Sequence, residues 1–244
     1  MIGMDILRAM HASFEDLIRT PLFGITLTVA AYLVAVRIWR AFGRSALLTP
    51  VLTAIVLVAC FLEITGIDYK TYLVGGSYLS FLLGPATVAL AAPLYKAGSA
   101  IKQLLAPVAA GVIIGSLTAI ASAVLVVRVM GGGHALEATL APKSATTPIA
   151  MALSDGNGGV TALAAVLTVL TGVLGAVAGP WLLNALHVSD PRVRGLALGV
   201  SSHGIGTSQA LAEGPMTGAF AALAMACSGV TTAILMPVVL TVLS

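Results

Sequence analysis

The chain reads as an all-α bundle of transmembrane helices, several of them broken or re-entrant. Three observations carry this expectation. Of 244 residues, 59% are hydrophobic and 9% are charged, against about 25% charged in a soluble domain, so too few charges exist to cover a water-facing surface. Mean hydropathy is +1.06. The apolar stretches are also continuous rather than alternating, which argues against a β-barrel. At about 20 residues per crossing, the chain holds roughly six to eight spans. Its 26 glycines and 11 prolines suit helices that pack closely and are interrupted in places.

The elements follow from the charges. Residues 1–20 form no signal peptide, because Asp5, Arg8, Glu15, Asp16 and Arg19 interrupt any apolar core. Ile6, Met10, Phe14 and Leu17 recur at helical spacing with charges opposite, so this segment reads as an amphipathic surface helix. Residues 21–244 read as one transmembrane domain. Span one runs from Leu22 to Phe42 and span two from Leu47 to Thr65. Span three lies between Lys70 and Lys96, and span four between Lys102 and Arg128. Glu137–Asp155 is short and carries Lys143, a poor simple span. Span five runs from Val160 to Leu186. Gly195–Leu211 is apolar but short and interrupted by His203, and the last span lies within Pro215–Leu243.

Lys and Arg concentrate on the cytoplasmic side of membrane proteins. That rule puts Arg37, Arg40 and Arg44 inside, with Lys96, Lys102, Arg192 and Arg194. Glu63, Asp68 and Glu137 then fall outside, as does the N-terminus. The assignments agree only if 139–155 enters the membrane and returns on one side, so a re-entrant or broken helix is expected there.

Three polar runs interrupt the apolar sequence. Leu83-Gly84-Pro85-Ala86-Thr87 lies within span three, where Pro85 removes a backbone donor and is expected to break the helix. Pro142-Lys143-Ser144-Ala145-Thr146-Thr147-Pro148 sets three hydroxyls and a cation between two prolines. Ser201-Ser202-His203-Gly204-Ile205-Gly206-Thr207-Ser208-Gln209 combines four hydroxyls, an imidazole, an amide and small residues. Breaks at membrane depth persist only where they face protein or water. A weak repeat links residues 86–94 (ATVALAAPL) to 145–153 (ATTPIAMAL), and paired interruptions are the usual pointer to a transporter's site. The charge-based orientation starts both runs outside, in conflict with a simple inverted repeat.

A half-helix beginning inside the membrane aims free N–H groups and a positive dipole end at its ligand. With Lys143 and the hydroxyls of Thr87, Ser144, Thr146, Thr147, Ser201, Ser202 and Thr207, such ends suit a small carboxylate anion; Pro85, Ala86, Gly204 and Gly206 would let it approach. Each residue also has a plainer reading. Lys143 could snorkel to the interface, His203 could be a satisfied histidine between helices rather than a ligand or proton carrier, and the hydroxyls could bond to helix carbonyls. Cys60 and Cys227, mid-span, read as packing residues. Gly111 with Gly115, and Gly172 with Gly175, are candidate helix contacts for a homodimer. No enzyme, metal or cofactor signature is present: there is no GxSxG, HExxH, Walker A lysine or CxxC. The net charge of +3 without a basic cluster argues against nucleic acid.

The runs LGPATVALAAPLYK (83–96), PKSATTPIAMAL (142–153) and GLALGVSSHGIGTSQAL (195–211), in that order, resemble the LrgB/CidB family. The resemblance covers residues 20–244. It implies a bacterial inner-membrane protein working beside a small LrgA/CidA-type partner. The family is named for antiholin-like and holin-like proteins tied to murein hydrolase activity and lysis. It also includes the LrgB-like half of the plastidial glycolate/glycerate translocator, and pyruvate uptake is attributed to bacterial members. Two functions are therefore expected in competition. One is ion- or proton-coupled secondary transport of a small monocarboxylate such as glycolate, glycerate, lactate or pyruvate. The other is a holin-type pore or its regulator. The clustered polar runs favour transport, since no polar stripe suited to a pore wall runs along several helices.

Overall fold

A computed structural model describes residues 17–43, 48–89, 95 and 98–243; within its helices, the side chains of 83, 84, 86, 87 and 99–101 lie outside the description. The amphipathic segment falls almost wholly on residues 1–16 and is not described. The chain divides into two compact units, one ending at Ala89 and the other beginning at Leu90.

The first unit holds α1 (Pro21–Ala41), α2 (Pro50–Thr65) and α3 (Tyr69–Ala89). Prolines open α1 and α2, where the missing donor costs nothing because first-turn N–H groups have no helical partner. α1 crosses α3 where Gly24 meets Gly75, and a Cβ on either would overlap the other helix's backbone. Thr28 Oγ1 and Tyr72 OH pair at 2.9 Å beside this crossing. Ala31, Ala35, Ala54 and Val58 make the core against α2. The break expected at Pro85 is absent: α3 is helical through Pro85 to Ala89. The missing N–H leaves the Phe81 carbonyl without its ladder partner, but the helix continues across it.

The second unit holds α4 (Gly98–Gln103), α5 (Leu105–Val129), α6 (His134–Leu140), α7 (Thr147–Gly156), α8 (Thr161–Ala185), α9 (Pro191–Glu213) and α10 (Pro215–Leu243). Among the described residues, α1, α5, α8 and α10 are long and apolar enough to cross a membrane, while α2 has 16 residues. α3 has the length, but Lys70, Thr71, Ser77, Ser80 and three tyrosines dilute its hydropathy. α10 lies beside α5 in the same direction. Phe220 and Ala224 pack on Val108 and Val112, and Met236, Val239 and Leu240 pack on Ile120 and Val124.

α6 and α7 form the expected re-entrant hairpin. Arg128, at the end of α5, donates to Glu137 in α6 at 2.6 and 3.1 Å. α6 then runs back along α5, so that Ala138 and Ala141 pack on Ile120 and Val124. The chain turns at 141–146, and α7 returns: Thr139 Oγ1 accepts from Val160 N–H at 2.8 Å, beside the start of α8.

A second hairpin lies within α9. Ser202 (φ −133°, ψ 16°) and His203 (φ 40°, ψ −133°) leave helical geometry, and there the chain reverses. Arg194 donates to Glu213 across the hairpin's base at 2.8 and 3.0 Å. Gly199 and Thr207, on opposite arms, both approach Ala221 of α10. The first arm touches α5 with Leu196 at Gly111 and Val200 at Gly115, so this hairpin starts from the Leu105 end of α5.

The two hairpins therefore come from opposite ends of α5 and their tips meet at its middle. Each follows a span of 25 residues, and each is 23 residues long from His134 to Gly156 and from Pro191 to Glu213. This is an inverted repeat of span plus hairpin. It pairs 134–156 with 191–213, whereas the weak sequence repeat linked 86–94 to 145–153.

Candidate functional site

A cavity of about 800 Å³ opens among α5, α8 and the two hairpins, entirely within the second unit. Lys143 and Ser144 reach it from the first tip, and Ser201 and Ser202 from the second. Proline at the start of α7 fixes where that helix can begin, and the residues before it make the turn that carries Lys143. The Lys143 ammonium donates to the Ala119 carbonyl at 3.4 Å, near the middle of α5. Ser201 and Ser202 share a hydrogen bond of 2.9 Å. Thr118 of α5 and Thr171 of α8 add hydroxyls at the same depth. Below the tips the wall is apolar, running along Val193, Leu196, Ala197 and Val200 toward the hairpin's base. Beyond the tips, toward the other end of α5, Ile120, Val124, Ala138, Ala141, Met236 and Leu240 close the bundle.

His203 does not line this cavity. Its ring is buried, with Nε2 2.9 Å from the Thr168 carbonyl of α8. Two glycines make the seat. A Cβ on Gly172 would lie 2.5 Å from Nε2, and one on Gly175 would overlap the Ser202 hydroxyl. Thr207 is also buried and donates to His203 O at 2.8 Å. Gly206 lets the two arms approach, since a Cβ there would strike the Leu198 carbonyl. Thr146 takes the N-cap position of α7 without a side-chain cap bond, so first-turn N–H groups of α7, Thr147 N–H among them, are left without that cap at the tip.

Of the residues singled out from sequence, the structure brings Lys143, Ser144, Ser201 and Ser202 to one cavity. Thr146, Thr147, Gly204, Gly206, Thr207 and His203 build the tips behind them. Pro85, Ala86 and Thr87 belong to the first unit; Pro85 is exposed, and the side chains of Ala86 and Thr87 lie outside the described residues. Thr118, Thr171 and the glycine walls were missed. Their signal was visible as Gly111/Gly115 and Gly172/Gly175, which had been read as a dimer contact. These glycines seat the second hairpin within the chain. Cys60 and Cys227 are exposed, not core-packed, and among the described residues no cluster of His, Cys, Asp or Glu could hold a metal.

The LrgB-like family model matches residues 28–242. The chain is 36% identical over 215 residues to the uncharacterized protein YxaC of Bacillus subtilis (strain 168), covering 88% of this chain and 93% of that one. It is likewise 36% identical over 209 residues to the uncharacterized protein YwbG of the same organism, covering 86% and 92%. No solved structure matches. The chain is a membrane protein of the LrgB-like family.

Proposed function

We propose that the chain is a secondary transporter of small monocarboxylates of the glycolate, glycerate, lactate or pyruvate type, driven by a proton or cation gradient across the bacterial inner membrane. The observation that carries this reading is the meeting of Lys143 and Ser144 from one hairpin with Ser201 and Ser202 from the other, at one cavity in mid-bundle. A cation at that depth is costly unless a function retains it, and one ammonium with several hydroxyls complements one carboxylate. The N-terminal ends of α7 and of the second arm of α9 start at the tips and add positive potential. Inverted repeats with interrupted helices at the midplane are the architecture of alternating access. Under the positive-inside reading the Arg192 end is cytoplasmic and the cavity faces inward. An LrgA/CidA-type partner and a homodimer belong to the same proposal.

Uptake of labelled pyruvate, lactate and glycolate into proteoliposomes tests it. Saturable uptake that Lys143→Ala abolishes without lowering the melting temperature is the expected result. Leak of unrelated solutes, unaffected by Lys143→Ala, would instead support the holin-type pore.

A further inference from the structure

We propose that the cavity prefers monocarboxylates bearing an apolar tail, with affinity rising along a chain-length series. This rests on the carboxylate reading above and sharpens it. The polar side chains of the cavity (Lys143, Ser144, Ser201, Ser202, Thr118 and Thr171) gather at the depth of the two tips. From there toward the base of the second hairpin the wall is Leu174, Ala178, Val193, Leu196 and Val200. Leu196 and Val200 of this wall pack closely on Gly111 and Gly115 of α5, which holds the wall in place.

Size and charge both bear on the ligand. At about 800 Å³ the space falls in the range that encloses drug-sized ligands, whereas an acid of two or three carbons reaches only the polar end. Among the described residues Lys143 is the one cation in the lining, and none lines the apolar end to meet another carboxylate. A second negative charge laid along that wall would face apolar side chains with no cation among the described lining residues to pair with, so a dicarboxylate is disfavoured. A methylene chain laid along Leu196 and Val193 leaves water for an apolar wall. Each methylene so buried contributes about 0.8 kcal/mol, which is about fourfold in affinity.

The test uses the full-length chain in proteoliposomes, with labelled lactate as the reporter. Straight-chain monocarboxylates of increasing length compete, each kept below the concentration at which protein-free vesicles leak. The expected result is an inhibition constant that falls about threefold to fourfold per methylene until the wall is covered. Leu196→Ser should flatten that slope, and a dicarboxylate of equal length should inhibit more weakly than its monocarboxylate. A flat or rising series with lactate uptake intact overturns the tail preference and leaves the carboxylate reading standing. Absence of both uptake and inhibition for every acid overturns the two together.

Discussion

His203 holds a backbone conformation (φ 40°, ψ −133°) that side chains rarely adopt, a state that costs about 1–3 kcal/mol for a residue other than glycine. Glycine would sit there without strain, so the ring must return more than it costs. Its bond to the Thr168 carbonyl and its seat over Gly172 fix the second tip against α8, and that leaves Ser202 facing the cavity. In the proposed transporter His203 therefore acts by positioning the tip, since its ring lies outside the cavity lining. Gly172→Ala, which crowds the ring but leaves the imidazole chemically unchanged, should lower lactate uptake about tenfold, the size of one lost hydrogen bond. His203→Ala should do the same, and the double variant should be little worse than either single change. Neither should alter the pH dependence of uptake; a histidine that carried the coupled proton would lose it in His203→Ala but keep it in Gly172→Ala. Lys143, Ser201 and Ser202 were legible in the sequence because cations and clustered hydroxyls are rare in apolar runs. The direction of His203 was not, because it depends on a dihedral angle and on two glycines thirty residues away.

At the scale of elements, the first hairpin was legible and the second was not. Loop charges balanced only if 139–155 returned to its own side, and α7 does run back beside α6. The interruption at His203 was legible, but the 23 residues of Pro191–Glu213 have the length of a full crossing, and the reversal shows only in the fold, where Arg194 pairs with Glu213, 19 positions apart, and Gly206 meets Leu198. Arg194 also donates to Asn184 Oδ1 at 2.8 Å and to the Val188 carbonyl at 3.0 Å, tying the hairpin base to the end of α8. A lysine cannot reproduce that planar fork. Arg194→Lys should therefore lower the melting temperature in detergent more than Arg192→Lys, whose partner Asp190 lies on the exposed rim. Asp190 caps the first arm, accepting from Arg192 N–H at 2.8 Å. The Arg192 side chain and that amide hold its carboxyl at about 2, below the usual 3.8. A depressed acid stabilises the fold fully above its unfolded value and loses that contribution as pH falls through the folded one. The cap should hold from neutral pH down to about pH 4 and weaken below it, and Asp190→Asn should lower the melting temperature at pH 7 while flattening the acid limb.

For the whole molecule, the helical class and the order of the helices were legible from hydropathy, whereas the expected six to eight crossings compare with four described helices long and apolar enough to span; the symmetry was not legible, since two segments of like length and opposite sense share little sequence. That symmetry carries a prediction about the other state. In the structure described, the cavity runs along the first arm of the second hairpin, and the pseudo-twofold-related path beside α6 is packed shut by Ile120, Val124, Ala138 and Met236. A transporter built from inverted repeats exchanges the conformations of its halves, so on the proposed transport reading the closed half holds the route of the alternate state. Aligning the hairpins end to end sets Ala197, which lines the cavity, opposite Leu140 of α6, and sets Gly111 and Gly115 opposite Thr168 and Gly172. A cysteine at Leu140, with Cys60 and Cys227 replaced by serine, should react with a membrane-impermeant maleimide added on the side opposite Arg192, and should do so faster during turnover than in the resting protein. A cysteine at Ala197 should react from the Arg192 side and slow during turnover. Labelling of both from one side, or a rate at Leu140 indifferent to substrate and gradient, would show that the halves do not trade places.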